Sequence, residues 1–367
     1  VDGNHGERNR RTMNNAISDR NSGSAGVNGA MPPPVVALLD CPDHSDLAGI
    51  LNRLRQSLPS LLPSSLPRKV VIKPNLCDIV SWEAGVTTDP AWLGVLANAL
   101  RSIRPDVEIL VVESDAVSAY KTHRSCDETF DRLGYTAAAR KEGIKLVNLT
   151  NADSIEIAMP GIPHPIRIAQ LLLEQFHFIS IANLKVHPYE RMTGILKNSV
   201  GLLCDADISF LHPHLSGLIR DLHLLCPPDL CIVDGRIGLE GQGPILGDPV
   251  PMDSIVFSND ALAADAAACK LMQIPPEEVP HLGIVAKSLH RRVPEIQLPH
   301  GIRPRQFAFD AGGGHSSILL KFANRRLHKS SELLTSRWID RFVRFKRHPL
   351  SFAIEGIPKL LRRTYAK

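Results

Sequence analysis

"FHFISIA", residues 176–182, runs straight into "NLKVHPYERMTGILKNSVG", residues 183–201, and the join between them decides how the chain reads. The first segment is a near-continuous apolar run of strand length, the pattern of a strand covered on both faces. The chain leaves that strand through Lys185 and His187. It reaches Thr193-Gly194, where a turn or helix starts, and follows at once with Lys197 and Asn198. Lys185 and His187 are two apart and share a face while the backbone stays extended. Two lysines at one strand end repel each other unless an anion lies between them. The stretch reads as a buried strand whose carboxyl end meets a small anionic molecule. The plain alternative is a solvated loop with incidental charges.

The same texture recurs outward from this join. "VVALLD" (35–40), "KVVIKPN" (69–75), "VEILVVES" (107–114), "IKLVNLT" (144–150), "LCIVDG" (230–235) and "SIVFS" (254–258) are β-branched or apolar runs of strand length. Helical spacing fills 45–58, 90–103, 126–142, 214–225, 260–273 and 277–289. Strands alternating with helices predict an α/β fold, a largely parallel open sheet with helices on both faces. We expect it over residues 35–320, as one domain or two lobes. In such sheets ligands bind beyond the carboxyl ends of the strands.

Composition narrows the function classes. Aromatic residues are 5% of the 367, too few for base-stacking platforms, so no specific nucleic acid is expected as partner. No apolar run approaches the ~20 residues that span a bilayer, and the N-terminus lacks a signal-peptide pattern. The seven cysteines are odd in number and scattered, with no C-x-x-C pair. That usage fits reduced thiols and a cytoplasmic location. Residues 1–34 are rich in Asn, Gly, Ser and Arg, and are expected to be disordered; Met31 is a candidate native start.

Charge is uneven. Of 42 basic and 38 acidic residues, 13 and 3 fall in 321–367, leaving 29 and 35 elsewhere. Within this basic tail, "RWIDRFVRFKR" (337–347) gathers Trp338, Ile339, Phe342, Val343 and Phe345 on one arc of a helical wheel, with arginines opposite. A basic amphipathic helix suits an anionic membrane surface or an acidic partner protein, or packs its apolar arc on its own protein.

Further polar clusters sit at strand ends. Lys73 and Asn75 close "KVVIKPN", and Thr87, Thr88 and Asp89 precede Pro90 at a helix start, where free N–H groups attract anions. After "VEILVVES" come Asp115, Lys121, His123 and Arg124. His212 and His214 alternate, so in an extended segment they converge on one metal ion, whereas helical geometry splays them. "VDGRIGLEGQGPILGDP" (233–249) places five glycines in 235–247, Gly241 and Gly243 among them, with the acids Asp234 and Glu240 beside them. Its spacing is neither a Walker A loop nor a dinucleotide fingerprint. The glycines permit close approach of backbone to a ligand. Asp234 and Glu240 are candidates for binding a cation, orienting a lysine or moving a proton.

"VVIKPNLC…GVTTDP", "ANLKVHPYERMTGILKNSVG", "VDGRIGLEGQGPILGDP" and "SNDALAADAAACKLM" together resemble, in order, the signatures of the DUF362 family, a domain of unknown function, over roughly 35–290. Many members carry ferredoxin modules with C-x-x-C-x-x-C runs. This chain has none, so no intrinsic iron–sulfur cluster is expected, and the family implies at most a ferredoxin in trans. The layout is also distantly similar to the N-terminal half of the lactate racemases. That likeness implies His187 as catalytic base, Lys197 as the residue joined to a nickel-pincer nucleotide, and His212 or His214 as a ligand of nickel or another divalent metal. The motif here is "TGILKN" rather than a glycine pair before lysine, and the histidine spacing differs.

The expected function is enzymatic, racemase-like or oxidoreductase-like proton or hydride transfer on a small carboxylate-bearing molecule. Lys185, His187 and Lys197 are the candidate catalytic groups. Lys73, Asn75, Thr87, Thr88, Asn198, Asp234, Glu240, Gly241 and Gly243 are expected to bind substrate or cofactor. Two other readings stay open: a redox accessory or electron-transfer partner of a ferredoxin, and a ligand-binding protein without turnover. Either location, cytoplasmic or peripheral at a membrane, fits the tail.

Overall fold

The computed structural model describes residues 34–310 apart from 62, 116–124, 164, 206 and 207. The segment 1–34 except Pro34, the tail 321–367, and Lys121, His123 and Arg124 lie outside the described residues.

Strand β2 (Lys69–Lys73) is central to the sheet. Its hydrogen bonds run parallel to β3 (Glu108–Glu113) on one side and to β7 (His177–His187) on the other. β3 pairs in parallel with β4 (Lys145–Asn148), and β7 with β9 (Leu230–Glu240). β10 (Asp248–Ser258) returns antiparallel to β9, and β1 (Val36–Asp40) closes that edge antiparallel to β10. The order is β1-β10-β9-β7-β2-β3-β4, with short β8 (Arg191–Met192) folded back on β7. A separate hairpin of β5 (Ser154–Ile157) and β6 (Ile166–Ala169), unforeseen in the sequence, lies off this sheet.

Alternate residues of each strand feed two separate cores. Val70, Ile72, Ile109, Val111, Ile179 and Ile181 pack with Leu47, Ile50 and Leu54 of α1 (Leu47–Ser57), with Trp92 and Leu96 of α2 (Ala91–Ile103), and with Phe130 of α3 (Cys126–Arg132) and Tyr135 of α4 (Tyr135–Glu142). Val71, Leu110, Phe178, Ala182 and Leu184 pack with residues of four other helices: α5 (Gly194–Asn198), α6 (Leu215–Leu225), α7 (Ala261–Met272) and α8 (Pro280–Ser288). Both faces are therefore covered, as the uninterrupted apolar runs require.

Two elements differ from the sequence reading. The single helical pattern 126–142 is two helices, because Gly134 adopts φ 83°, a left-handed conformation that ends one helix and begins the next. The glycine-rich stretch is mostly strand. β9 continues through Gly235 and Gly238 to Glu240. A Cβ on Gly235 would lie 2.8 Å from the Ser254 carbonyl oxygen, and one on Gly238 2.6 Å from the Phe307 ring. Here the glycines allow backbone to pass close to neighbouring protein atoms.

Successive crossovers from β2 run outward to β3 and β4, and the chain then returns to place β7 and β9 on β2's other side. The order reverses between β2 and β7, which is where a crevice opens in a sheet of this kind.

Candidate functional site

The loop after β2 is tied to the end of β7 by a polar lattice. Asn75 is its hub. The amide of Asn75 accepts a hydrogen bond from Lys185 Nζ at 2.7 Å through Oδ1 and donates through Nδ2 to Asn198 Oδ1 at 3.1 Å. Asn198, buried on α5, donates in turn to the Lys73 carbonyl and to Ser180 Oγ. The Asn75 N–H donates to Thr88 Oγ1, and Asn183 Nδ2 donates to the Thr87 carbonyl. Lys185, Asn75, Asn198, Thr87 and Thr88 are thus brought together, and their polar atoms face one another.

The lysines divide into committed and uncommitted groups. Lys73 is paired with Glu113 (Nζ to Oε2 2.6 Å) and also donates to the Pro74 carbonyl, all buried. Lys185, also buried, donates to Asn75 Oδ1, to the Val86 carbonyl (2.8 Å) and to Cys77 Sγ (3.1 Å). None of these is a carboxylate, so the positive charge of Lys185 has no carboxylate partner. Lys197 closes α5 and is partly buried. Among the described residues its ammonium has no hydrogen-bond or ion-pair partner. Burial first, then the neighbouring Lys185 charge, pull its pKa down to about 8.

His187 is buried at the end of β7. Its Nδ1 accepts the backbone N–H groups of Tyr189 (3.3 Å) and Glu190 (3.2 Å). The ring proton therefore sits on Nε2. Burial, followed by the charges of Lys197 and Lys185, holds its pKa far below the usual histidine range, so the ring is neutral.

The turn that carries Lys197 is held from below by residues the sequence reading passed over. Asp265 of α7 accepts the N–H groups of Ile195 (2.6 Å) and Leu196 (3.0 Å). Its carboxylate fills the space over Gly194, where a Cβ would lie 2.3 Å from Oδ1. His281 of α8 lies between two carboxylates, with Nδ1 2.9 Å from Glu190 Oε2 and Nε2 3.8 Å from Asp265 Oδ2. Burial pulls the His281 pKa down, but Asp265 and Glu190 outweigh it and the net shift is upward. One signal was in the sequence: a lone Asp in the apolar helix "ALAADAAACKLM" must find partners when buried.

The remaining candidates are engaged elsewhere. The Asp234 carboxylate takes Arg236 (Nη2 to Oδ2 2.7 Å) and the Trp92 indole N–H (2.8 Å). Asp89 caps α2 through the Ala91 N–H and pairs with the same guanidinium at 3.0 Å, which occupies the helix N-terminus expected to attract an anion. Glu240 accepts from Arg305 and from the Ala308 N–H, and Gly241 N–H donates to the Ala308 carbonyl. Gly243 lies against the Val186 carbonyl, where a Cβ would come to 2.1 Å. A cavity of about 320 Å³ beside Trp82, Thr87, Thr88, Pro90 and Arg132 is not lined by Lys185, His187 or Lys197.

His212 and His214 lie in the 3-10 turn Ser209–His214, where side chains two apart point ~120° apart around the axis. Their donors do not converge, and no group of three metal-binding side chains occurs among the described residues. The residues present do not fit the implied metal. All seven cysteines are unbridged, and Cys77 is the one that is not fully buried.

A mostly parallel sheet covered on both faces, with lysines and a histidine at its switch point, defines the general class. The chain belongs to the family described as a domain of unknown function (DUF362), which matches residues 70–270. It is 24% identical over 153 residues to a thylakoid-associated protein of Synechocystis sp., covering 40% of this chain and 47% of that protein. Its fold is also similar to the lactate racemase apoprotein from Thermoanaerobacterium thermosaccharolyticum, at 12% identity and TM-score 0.42, over 65% of this chain and 57% of that one. The chain thus spans about half the length of each. Among the described residues no helix is long and apolar enough to cross a membrane.

Proposed function

We propose that the crevice between the ends of β2 and β7 is a catalytic site for a small carboxylate-bearing molecule, and that it moves a proton at the carbon beside the carboxylate. The supporting observation is the unpaired Lys197 ammonium next to the fixed charge of Lys185, an arrangement that favours an anion. Lys185 has its protons committed, so it acts through its field. Lys197 is the group free to meet the substrate. Its neutral form is the base, since an amine of pKa about 8 is matched to proton transfer near neutral pH. His187 is the N–H donor to the charge developing on the carboxylate, in place of the base role expected from sequence. A neutral imidazole with its proton fixed on Nε2 suits that task.

The test is exchange of the α-proton for deuterium, followed by NMR over a panel of 2-hydroxy and 2-amino carboxylates. Exchange that is lost in Lys197→Ala supports the reading. A panel showing neither exchange nor saturable binding overturns it.

For the location we propose peripheral contact with an anionic membrane from the cytoplasmic side. The composition of 321–367 and the thylakoid association of the Synechocystis relative support this. Full-length protein should sediment with vesicles containing anionic lipid at low salt and be released by salt. Full-length protein that stays in the supernatant at low salt overturns the proposal. Retention of a ferredoxin instead would favour the electron-transfer reading.

A further inference from the structure

Lys197 combines features that proton transfer alone does not require. Its amine is the terminal atom of a partly buried side chain. It is held on the rigid turn that Asp265 anchors, with Asn198 locked into the lattice beside it. No carboxylate ties it up. A second cation, Lys185, is pinned nearby by three acceptors that are not carboxylates. A lysine desolvated next to another cationic group is the arrangement that turns an ammonium into a nucleophile toward carbonyl carbon.

We propose that Lys197 forms an imine with the carbonyl of a 2-oxo acid, which makes 2-oxo carboxylates a substrate class of this site. The inference rests on the carboxylate site proposed above. The Nζ lone pair of the neutral amine forms a bond to the carbonyl carbon, and the carbonyl oxygen takes up a proton to give the carbinolamine. A proton on the nitrogen then passes to that hydroxyl, the carbon–oxygen bond breaks with its electron pair leaving on water, and the nitrogen lone pair closes the C=N bond of the iminium. No oxidant or reductant is needed. The carboxylate beside the reacting carbon sits in the field of Lys185, and the Nε2–H of His187 is the donor suited to the carbonyl oxygen. His187 and Lys197 are within electrostatic range, because the Lys197 charge is the second cause of the lowered His187 pKa. The electron-withdrawing iminium that results would acidify the carbon–hydrogen bonds of C3, one carbon beyond the position whose proton the carboxylate reading moves.

The experiment is reductive trapping. Full-length protein is incubated with pyruvate and sodium borohydride, digested, and each lysine-containing peptide is measured for a reduced carboxyethyl group. A parallel arm measures protection of Lys197 from an amine-acylating reagent by lactate, which has the carboxylate and no ketone. Trapping at Lys197 well above every other lysine, lost in Lys197→Arg, supports the imine. Protection by lactate without trapping by pyruvate overturns the imine and leaves the carboxylate site standing. Neither protection nor trapping overturns both. Trapping spread evenly over surface lysines also overturns the imine, because the amine would then have no special reactivity.

Discussion

At the scale of single residues, environment separates three lysines that look alike in sequence. Lys73 is neutralised by Glu113, Lys185 is held by neutral groups and a thiol, and only Lys197 keeps its ammonium unpaired. The pKa of Lys197 sets its pH dependence, and the groups acting on it are Lys185 and Lys73, which lower it, and Cys77 and Glu190, which raise it. Its neutral fraction grows through pH about 8, against 10.5 for an ordinary lysine. At pH 7 that makes it roughly 300-fold more often neutral than an ordinary lysine. Acylation at limiting reagent should therefore modify Lys197 ahead of the exposed lysines, with a rate half-maximal near pH 8. Mass spectrometry of the digest checks this, and a midpoint near pH 10 contradicts it. The sequence pointed to Lys185, His187 and Lys197 because apolar residues frame them closely. It was silent on which was free, because pairing depends on partners far away along the chain, such as Glu113, 40 residues from Lys73.

At the scale of elements, α5 is too short to be stable alone. It persists because Asp265 takes its first N–H groups and its apolar residues Ile195 and Leu196 join the core. Gly194 enters with φ 70°, a conformation costly for any residue with a Cβ. Gly194→Ala should therefore lose at least about 1–2 kcal/mol from backbone strain alone, and more from the collision with the Asp265 carboxylate. Its urea midpoint should fall, and Lys197 should lose its selective acylation as the turn shifts. Asp265→Asn is the companion variant: its amide oxygen can still accept one N–H, so it should be milder. Equal stability of Gly194→Ala and wild type would contradict the account. Strand runs and helix spacing were legible at this scale, as was the turn at Thr193-Gly194. The β5–β6 hairpin was missed because its strands are only four residues each. The reach of β9 to Glu240 was missed because glycines were taken as loop formers, whereas here they relieve crowding between packed strands.

At the scale of the whole molecule, two buried charge groups join segments distant in sequence, and one of them lies beneath the candidate site. Arg236, with Asp234 and Asp89, locks β9 to the start of α2. His281, Glu190 and Asp265 lock α7 and α8 beneath the Lys197 turn. The second group gives a pH signature that can be worked out from direction alone. His281 has its folded pKa raised above the ordinary histidine value of 6.5. Its contribution to stability is full below about pH 6.5 and fades as pH rises through the folded value. Glu190 has its pKa lowered from the ordinary glutamate value of 4.5: burial raises it, but His281 and Ser216 outweigh that. Its contribution is full above about pH 4.5 and fades on acidification. Both are therefore complete near pH 5.5. His281→Gln removes the buried cation and leaves two carboxylates facing each other, a loss of about 3–5 kcal/mol for a broken buried pair. The difference in melting temperature between wild type and His281→Gln should be largest near pH 5.5. It should shrink toward alkaline pH, where wild type loses the same charge. Scanning calorimetry at pH 5.5 and pH 9 checks this; a difference that is the same at both would mean that His281 contributes its shape and not its charge.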